Sequence, residues 1–177
     1  MTTQKYSFIM RFQHWIMALV ILSLIASGWY MTHLEDSVSF KYDIYGWHKP
    51  FGVLVLFLVV ARIITRLFST VPPLPDGMAW HEKAFSHLTH WSLYLLMFLV
   101  PASGYLMSGA APNKTVPFFG LTMPDIVSKS AELAKFFHSI HVVIPYVLLG
   151  VIVLHLLGVI KHRFFDTPEN NVLNRML

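Results

Sequence analysis

The chain of 177 residues contains no cysteine, which excludes disulfides, iron–sulfur ligation and thiol catalysis. Charge is scarce as well. Asp, Glu, Lys and Arg make up 12% of the residues, where a soluble domain carries roughly 25%. The acids are confined to Glu35, Asp36, Asp43, Asp76, Glu82, Asp125, Glu132, Asp166 and Glu169, all outside the long apolar runs. A di-iron carboxylate centre needs Glu from several bundle helices, so that chemistry is excluded. An ion pump working through buried carboxylates is excluded on the same ground. Neither HExxH nor HxxEH occurs, and "HLTH" (87–90) alone is a weak zinc signal.

Apolar residues are what the chain has, at 55%, with 15% aromatics. A membrane span needs about 20 mostly apolar residues. Four stretches qualify: 14–31 ("HWIMALVILSLIASGWYM"), 47–68, 85–107 and 136–160. Helices are expected, because an open sheet would leave backbone groups unsatisfied in lipid. The predicted fold is therefore an all-α membrane protein, a four-transmembrane-helix bundle formed by one unit over residues 1–177. The first apolar run is too long for a signal-peptide core and no small-residue cleavage site follows it, so it reads as a retained span. Pro50 is expected in a first helical turn, and Pro101 and Pro145 inside helices, where kinks are expected. The longest connection, 109–135, contains "VPFFGLTMPDIV", expected to form a short surface element. No sequence repeat stands out.

Basic residues set the direction. With the amino terminus inside, Lys5, Arg11, Arg62, Arg66, Lys83, Lys161, Arg163 and Arg175 lie inside. Lys41, Lys49, Lys114, Lys129 and Lys135 lie outside, so both termini are expected in the cytoplasm.

That orientation sorts the histidines by depth. An outer level holds His48 with His141 or His138, and an inner level holds His14, His155 and the His87/His90 pair. A single histidine at a helix end is at home among headgroups; His33, His81 and His162 are of this kind. Two levels of histidines on facing helices suit b-type haem, whose iron takes an axial ligand on each face. Fourteen residues separate His141 from His155, a rise of about 21 Å with a rotation only about 40° short of four full turns. Both project from one helix face, towards opposite sides of the bilayer. The same interval leads from His14 to Gly28, from His90 to Gly104 and from His48 to Arg62. Glycine there would admit a flat macrocycle to the helix backbone, and Arg62 would reach the propionates of an inner haem. Arg66 is a second candidate, although either arginine could simply snorkel to the surface. The haem-free competitor is copper or zinc held by His and Met.

The segments "RFQHWIMALVILSL", "YGWHKPFGVLVLFLVVARIITRL", "AFSHLTHWSLYLLM", "FGLTMP" and "FFHSIHVVIPYVLLGVIVLHLLGVIKHRF" resemble the bacterial cytochrome b561 family over nearly the whole chain. The resemblance implies two haems b in a multi-pass protein of the inner membrane, with His14, His48, His141 and His155 as axial ligands. His138 competes with His141 for the outer site, and His87 and His90 would line the inner haem or a quinone pocket. One branch of the family passes the electron of superoxide to ubiquinone. By that likeness Lys49 and Lys135 would attract superoxide outside, while His162 and Lys161 would bind quinone inside. The alternative is a haem b anchor subunit that relays electrons between a separate dehydrogenase or cytochrome and the quinone pool. The partners expected are the bilayer, a quinone, and superoxide or a redox protein, with no nucleic acid.

Overall fold

The computed structural model describes residues 4–177. Four long helices carry the fold: α1 (Phe8–His33), α2 (Phe40–Leu67), α3 (Trp80–Ala110) and α4 (Ala131–Phe164). All four are long and apolar enough to cross a membrane. At about 1.5 Å per residue the 34 residues of α4 exceed a hydrocarbon layer of roughly 30 Å. The helices therefore extend past the apolar stretches, and polar end turns that hydropathy excludes are helical too. Ser7 and Ser130 explain two of these starts, since their hydroxyls accept from the amides of Met10 (3.4 Å) and Leu133 (3.3 Å). At α3 the Glu82 carboxylate accepts from the Ala79 amide at 3.1 Å.

Pro50 differs from expectation. Because α2 begins at Phe40, this proline sits well inside the helix and is buried, not in a first turn.

Antiparallel neighbours pack along one another, α1 on α2, α2 on α3 and α3 on α4. Halfway along the bundle Met17, Ile21, Val55, Val59 and Leu148 form a closed apolar layer. Outward-facing side chains such as Leu19, Trp91, Leu95 and Val143 are exposed, and only 6% of the apolar window of α4 is covered by protein. A helix that is apolar on every side and so little covered has lipid as its solvent.

The α3–α4 connection forms a hairpin of β1 (Val116–Phe118) and β2 (Leu121–Met123). Its two-residue turn puts Phe119 at φ 43° and Gly120 at φ 88°, the primed geometry that matches strand twist. The hairpin is more than a surface element. Val116 is 1% exposed against Val53 and Tyr105, and the Phe119 ring lies 5.2 Å from that of Phe51. The Tyr105 hydroxyl donates to the Pro124 carbonyl at 2.5 Å, tying the hairpin's exit to α3.

At the opposite end of the bundle the last residues fold back over the helix ends. The Tyr6 amide donates to the Arg175 carbonyl (3.1 Å), the Trp15 indole to the Met176 carbonyl (2.9 Å), and the Arg11 guanidinium to the Leu177 carbonyl. The two ends are called the terminal end and the hairpin end below.

Candidate functional site

The histidines gather at two levels. Towards the terminal end, the rings of His14 on α1 and His155 on α4 lie 6.2 Å apart between centroids. Towards the hairpin end, His48 on α2 and His141 on α4 lie 6.3 Å apart. A metal–imidazole bond of about 2.0–2.1 Å, plus about 1.1 Å from nitrogen to ring centre, puts two coaxial ligands roughly 6.3 Å apart. Both pairs match the span of two imidazoles holding one iron between them, so the side chains present fit a bis-histidine haem. His90 does not substitute at that spacing, since its centroid is 5.4 Å from His155. His138 is exposed, and the ring facing His48 is that of His141.

Hydrogen bonds on the rear nitrogens orient several rings. His141 Nδ1 lies 3.0 Å from the Val100 carbonyl and 3.1 Å from the Ser103 hydroxyl. His48 Nδ1 lies 3.3 Å from the Ser27 hydroxyl. A ring that donates Nδ1–H presents Nε2 as its free lone pair, as a ligating imidazole must. His90 donates to the Ser86 carbonyl at 2.7 Å and shares that arrangement.

Ser27 and Ser103 were not anticipated, and a signal for them exists. "ASGWYM" on α1 (26–31) and "ASGYLM" on α3 (102–107) repeat one pattern, Ala-Ser-Gly-aromatic-x-Met. Each serine bonds a hairpin-end imidazole and each following glycine faces the same ring. A Cβ on Gly28 would lie 3.3 Å from His48 Cε1; one on Gly104 would lie 2.8 Å from His141 Cε1. These glycines were expected to admit a macrocycle; in the structure each leaves room for an imidazole edge.

The terminal-end pair opens onto a partly open apolar cavity of about 850 Å³, near the top of the roughly 300–1,000 Å³ usual for ligand sites. His14, His90, His155, Arg62, Arg66 and His162 line it; His87 does not. Arg62 donates to the Met10 carbonyl at 3.1 Å and stands 3.5 Å from His14 Nδ1. Arg66 lies 6.0 Å above the Tyr94 ring. The folded-back tail contributes Val172, Leu173 and Met176 to the cavity wall.

Where α4 ends, Lys161 bridges Glu82 (2.5 Å) and Asp166 (2.9 Å), and His162 Nδ1 bonds Asp166 at 2.8 Å. Glu82, His162 and Asp166 also have the spacing of a three-ligand metal site. The ammonium of Lys161 already serves both carboxylates there. It is the first cause holding the Asp166 carboxyl well below the usual carboxylate range, followed by Asn170, the Thr167 amide and His162. Reading every acid as loop or tail hid this cluster, although His162 and Asp166 stand four apart, within reach along a helix end.

At the hairpin end Lys49 shares a recess of about 390 Å³ with Lys114, Tyr42 and Thr115. Lys135, the other lysine expected to attract superoxide, is exposed on the first turns of α4 and does not line that recess. Lys114 is the basic neighbour that sequence order concealed.

Residues 5–177 match the family described as prokaryotic cytochrome b561. The chain is 29% identical over 178 aligned positions to "Cytochrome b561 homolog 2" of Escherichia coli (strain K12), covering 99% of this chain and 93% of that protein. It is 26% identical to "Probable superoxide oxidase CybB" of Yersinia pestis, covering 98% of this chain and 96% of that protein.

Proposed function

The chain belongs to the prokaryotic cytochrome b561 family, bacterial membrane proteins that move electrons through b-type haem, and we propose that it passes electrons from superoxide to ubiquinone through two haems b. In this reading His14 and His155 hold one haem, and His48 and His141 hold the other. The observation that carries it is the pair of ring separations, 6.2 and 6.3 Å, at two levels about 21 Å apart along α4. The haems supply the electron-carrying chemistry; the protein sets their ligands, spacing and surroundings.

The terminal end faces the cytoplasm of the inner membrane and the hairpin end the periplasm, in keeping with the distribution of basic residues. Superoxide is a small anion and needs a positive approach. Lys49 follows His48 directly and shares its recess with Lys114, while Lys135 adds charge at the same end. Quinone enters the large cavity beside the terminal-end pair. Lys161 is engaged by two carboxylates, which leaves His162, buried and lining the cavity, as the partner for a quinone carbonyl. Arg62 and Arg66 supply positive charge to the haem in the cavity they line. The printed name of the Yersinia pestis relative supports the superoxide half of this reading.

The test is superoxide-driven ubiquinone reduction by the purified protein, with xanthine oxidase as the superoxide source. Ubiquinol should accumulate at a rate that follows the protein concentration and stops when superoxide dismutase is added. Bound haems that reduce no faster with superoxide than with dismutase present would overturn the enzyme reading and favour an anchor subunit serving a separate redox protein.

A further inference from the structure

His162 is 7% exposed and lines the large cavity seven residues beyond His155, about two turns further along the same face. Around it the cavity wall carries Tyr6, Arg66, His81, Glu82, Tyr94, Lys161 and Arg175, beyond the histidines and Arg62 near the iron level. Most of these charges are already engaged. Lys161 is held by Glu82 and Asp166, Arg66 lies over Tyr94, and Arg175 donates to the Pro73 carbonyl. The group bonded to the imidazole is Asp166, whose Oδ2 receives Nδ1–H at 2.8 Å. Its other oxygen, Oδ1, accepts from the Thr167 amide (2.8 Å) and the Asn170 side chain (3.0 Å), so the carboxylate is fixed by the folded-back tail.

This arrangement directs Nε2 away from Asp166. When the ring is protonated, that nitrogen carries the donatable proton, while Nδ1–H stays on the carboxylate. Resting on the quinone reading above, we propose that Asp166 is a positioning residue that sets His162 to deliver a proton to a carbonyl oxygen of the quinone. The balance is Q + 2 e⁻ + 2 H⁺ → QH₂. The two electrons would be supplied one at a time by the haem that His14 and His155 would hold. One proton leaves His162 Nε2 as the quinone O–H bond forms, and the ring, neutral with Nδ1–H still on Asp166, is reprotonated from water at the terminal end. The second proton also comes from water.

The test uses the haem-loaded full chain with ubiquinone-1 as acceptor and ferricyanide as an acceptor that takes no proton. Asp166→Asn should bind ubiquinone-1 as the unaltered protein does and keep its ferricyanide rate. Its haem reoxidation by ubiquinone-1 should slow by roughly 10²-fold, the lower range for general acid catalysis. Asp166→Glu should restore part of the rate. In unaltered protein, D₂O should slow the ubiquinone-1 reaction and leave the ferricyanide reaction unchanged, a result independent of how any variant folds. Equal solvent isotope effects with both acceptors, or an Asp166→Asn protein with an unchanged ubiquinone-1 rate, would overturn the proposal. If His162→Gln loses ubiquinone-1 binding while Asp166→Asn behaves normally, the proton relay fails and the quinone site stands. If His162→Gln binds and reduces ubiquinone-1 normally, the quinone site falls as well.

Discussion

Replacing His155 by alanine should strip the chain of the haem nearer its termini and leave the other in place, and His141→Ala should do the reverse. Each variant should fall from two haems to about one per chain, since a bis-histidine iron that loses one imidazole loses a bond no neighbour replaces. The neighbours are known at both levels. His90 lies 5.4 Å from His155, too close to take a coaxial place, and it already donates to Ser86. His138 is exposed and the ring against His48 is His141. His90→Ala and His138→Ala should therefore keep both haems. Pyridine haemochrome counts haem, and a reduced-minus-oxidised spectrum shows which component is missing. Two haems retained in His141→Ala or His155→Ala would refute the assignment, and so would loss of a haem in His138→Ala.

Sequence alone carried the levels because the membrane leaves little freedom in depth. Helices are the spanning structure, their rise is constant, and polar side chains inside them are costly, so fourteen residues translate directly into about 21 Å. The midpoint of each interval is apolar: Ile21, Val55, Met97 and Leu148 each stand seven residues from both ends. All four belong to the layer that closes the bundle between the two levels, Met97 as a flanking member. Rotation about the helix axes was harder to read. Depth placed His87 beside His90, but sidedness sets His87 off the cavity, and Lys49 shares its recess with Lys114. Pro50 was misplaced because α2 starts in the polar turns before its apolar run. The tail escaped notice for a related reason: its anchors to Tyr6, Trp15 and Arg11 join opposite ends of the chain, and no local pattern records them.

The Ala-Ser-Gly repeat leads to the second large effect, on the hairpin-end haem. Gly104→Ala places a methyl 2.8 Å from His141 Cε1, 3.1 Å from Nδ1 and 3.3 Å from Nε2, so the whole ring edge meets it. An unrestrained imidazole would swing aside at small cost. This one is bonded at Nδ1 to Val100 and Ser103, and its remaining nitrogen points towards the iron in the proposed site. Relief must therefore break the rear bonds or pull Nε2 off the axis. Gly28→Ala is milder, because its methyl reaches His48 only at Cε1, 3.3 Å away, with Nδ1 at 3.9 Å. A shift of a few tenths of an ångström relieves that contact, and His48 has a single bond to Ser27 to restrain it. Gly104→Ala should accordingly lose or visibly perturb the haem that His141→Ala loses, Gly104→Leu should lose it outright, and Gly28→Ala should keep both haems with a small spectral shift. Haem content and the α-band position after mild detergent extraction measure all three. Full occupancy with an unshifted α band in Gly104→Leu would mean that the His141 ring does not lie against Gly104 once iron is bound, and the pairing of His141 with His48 would lose its structural basis.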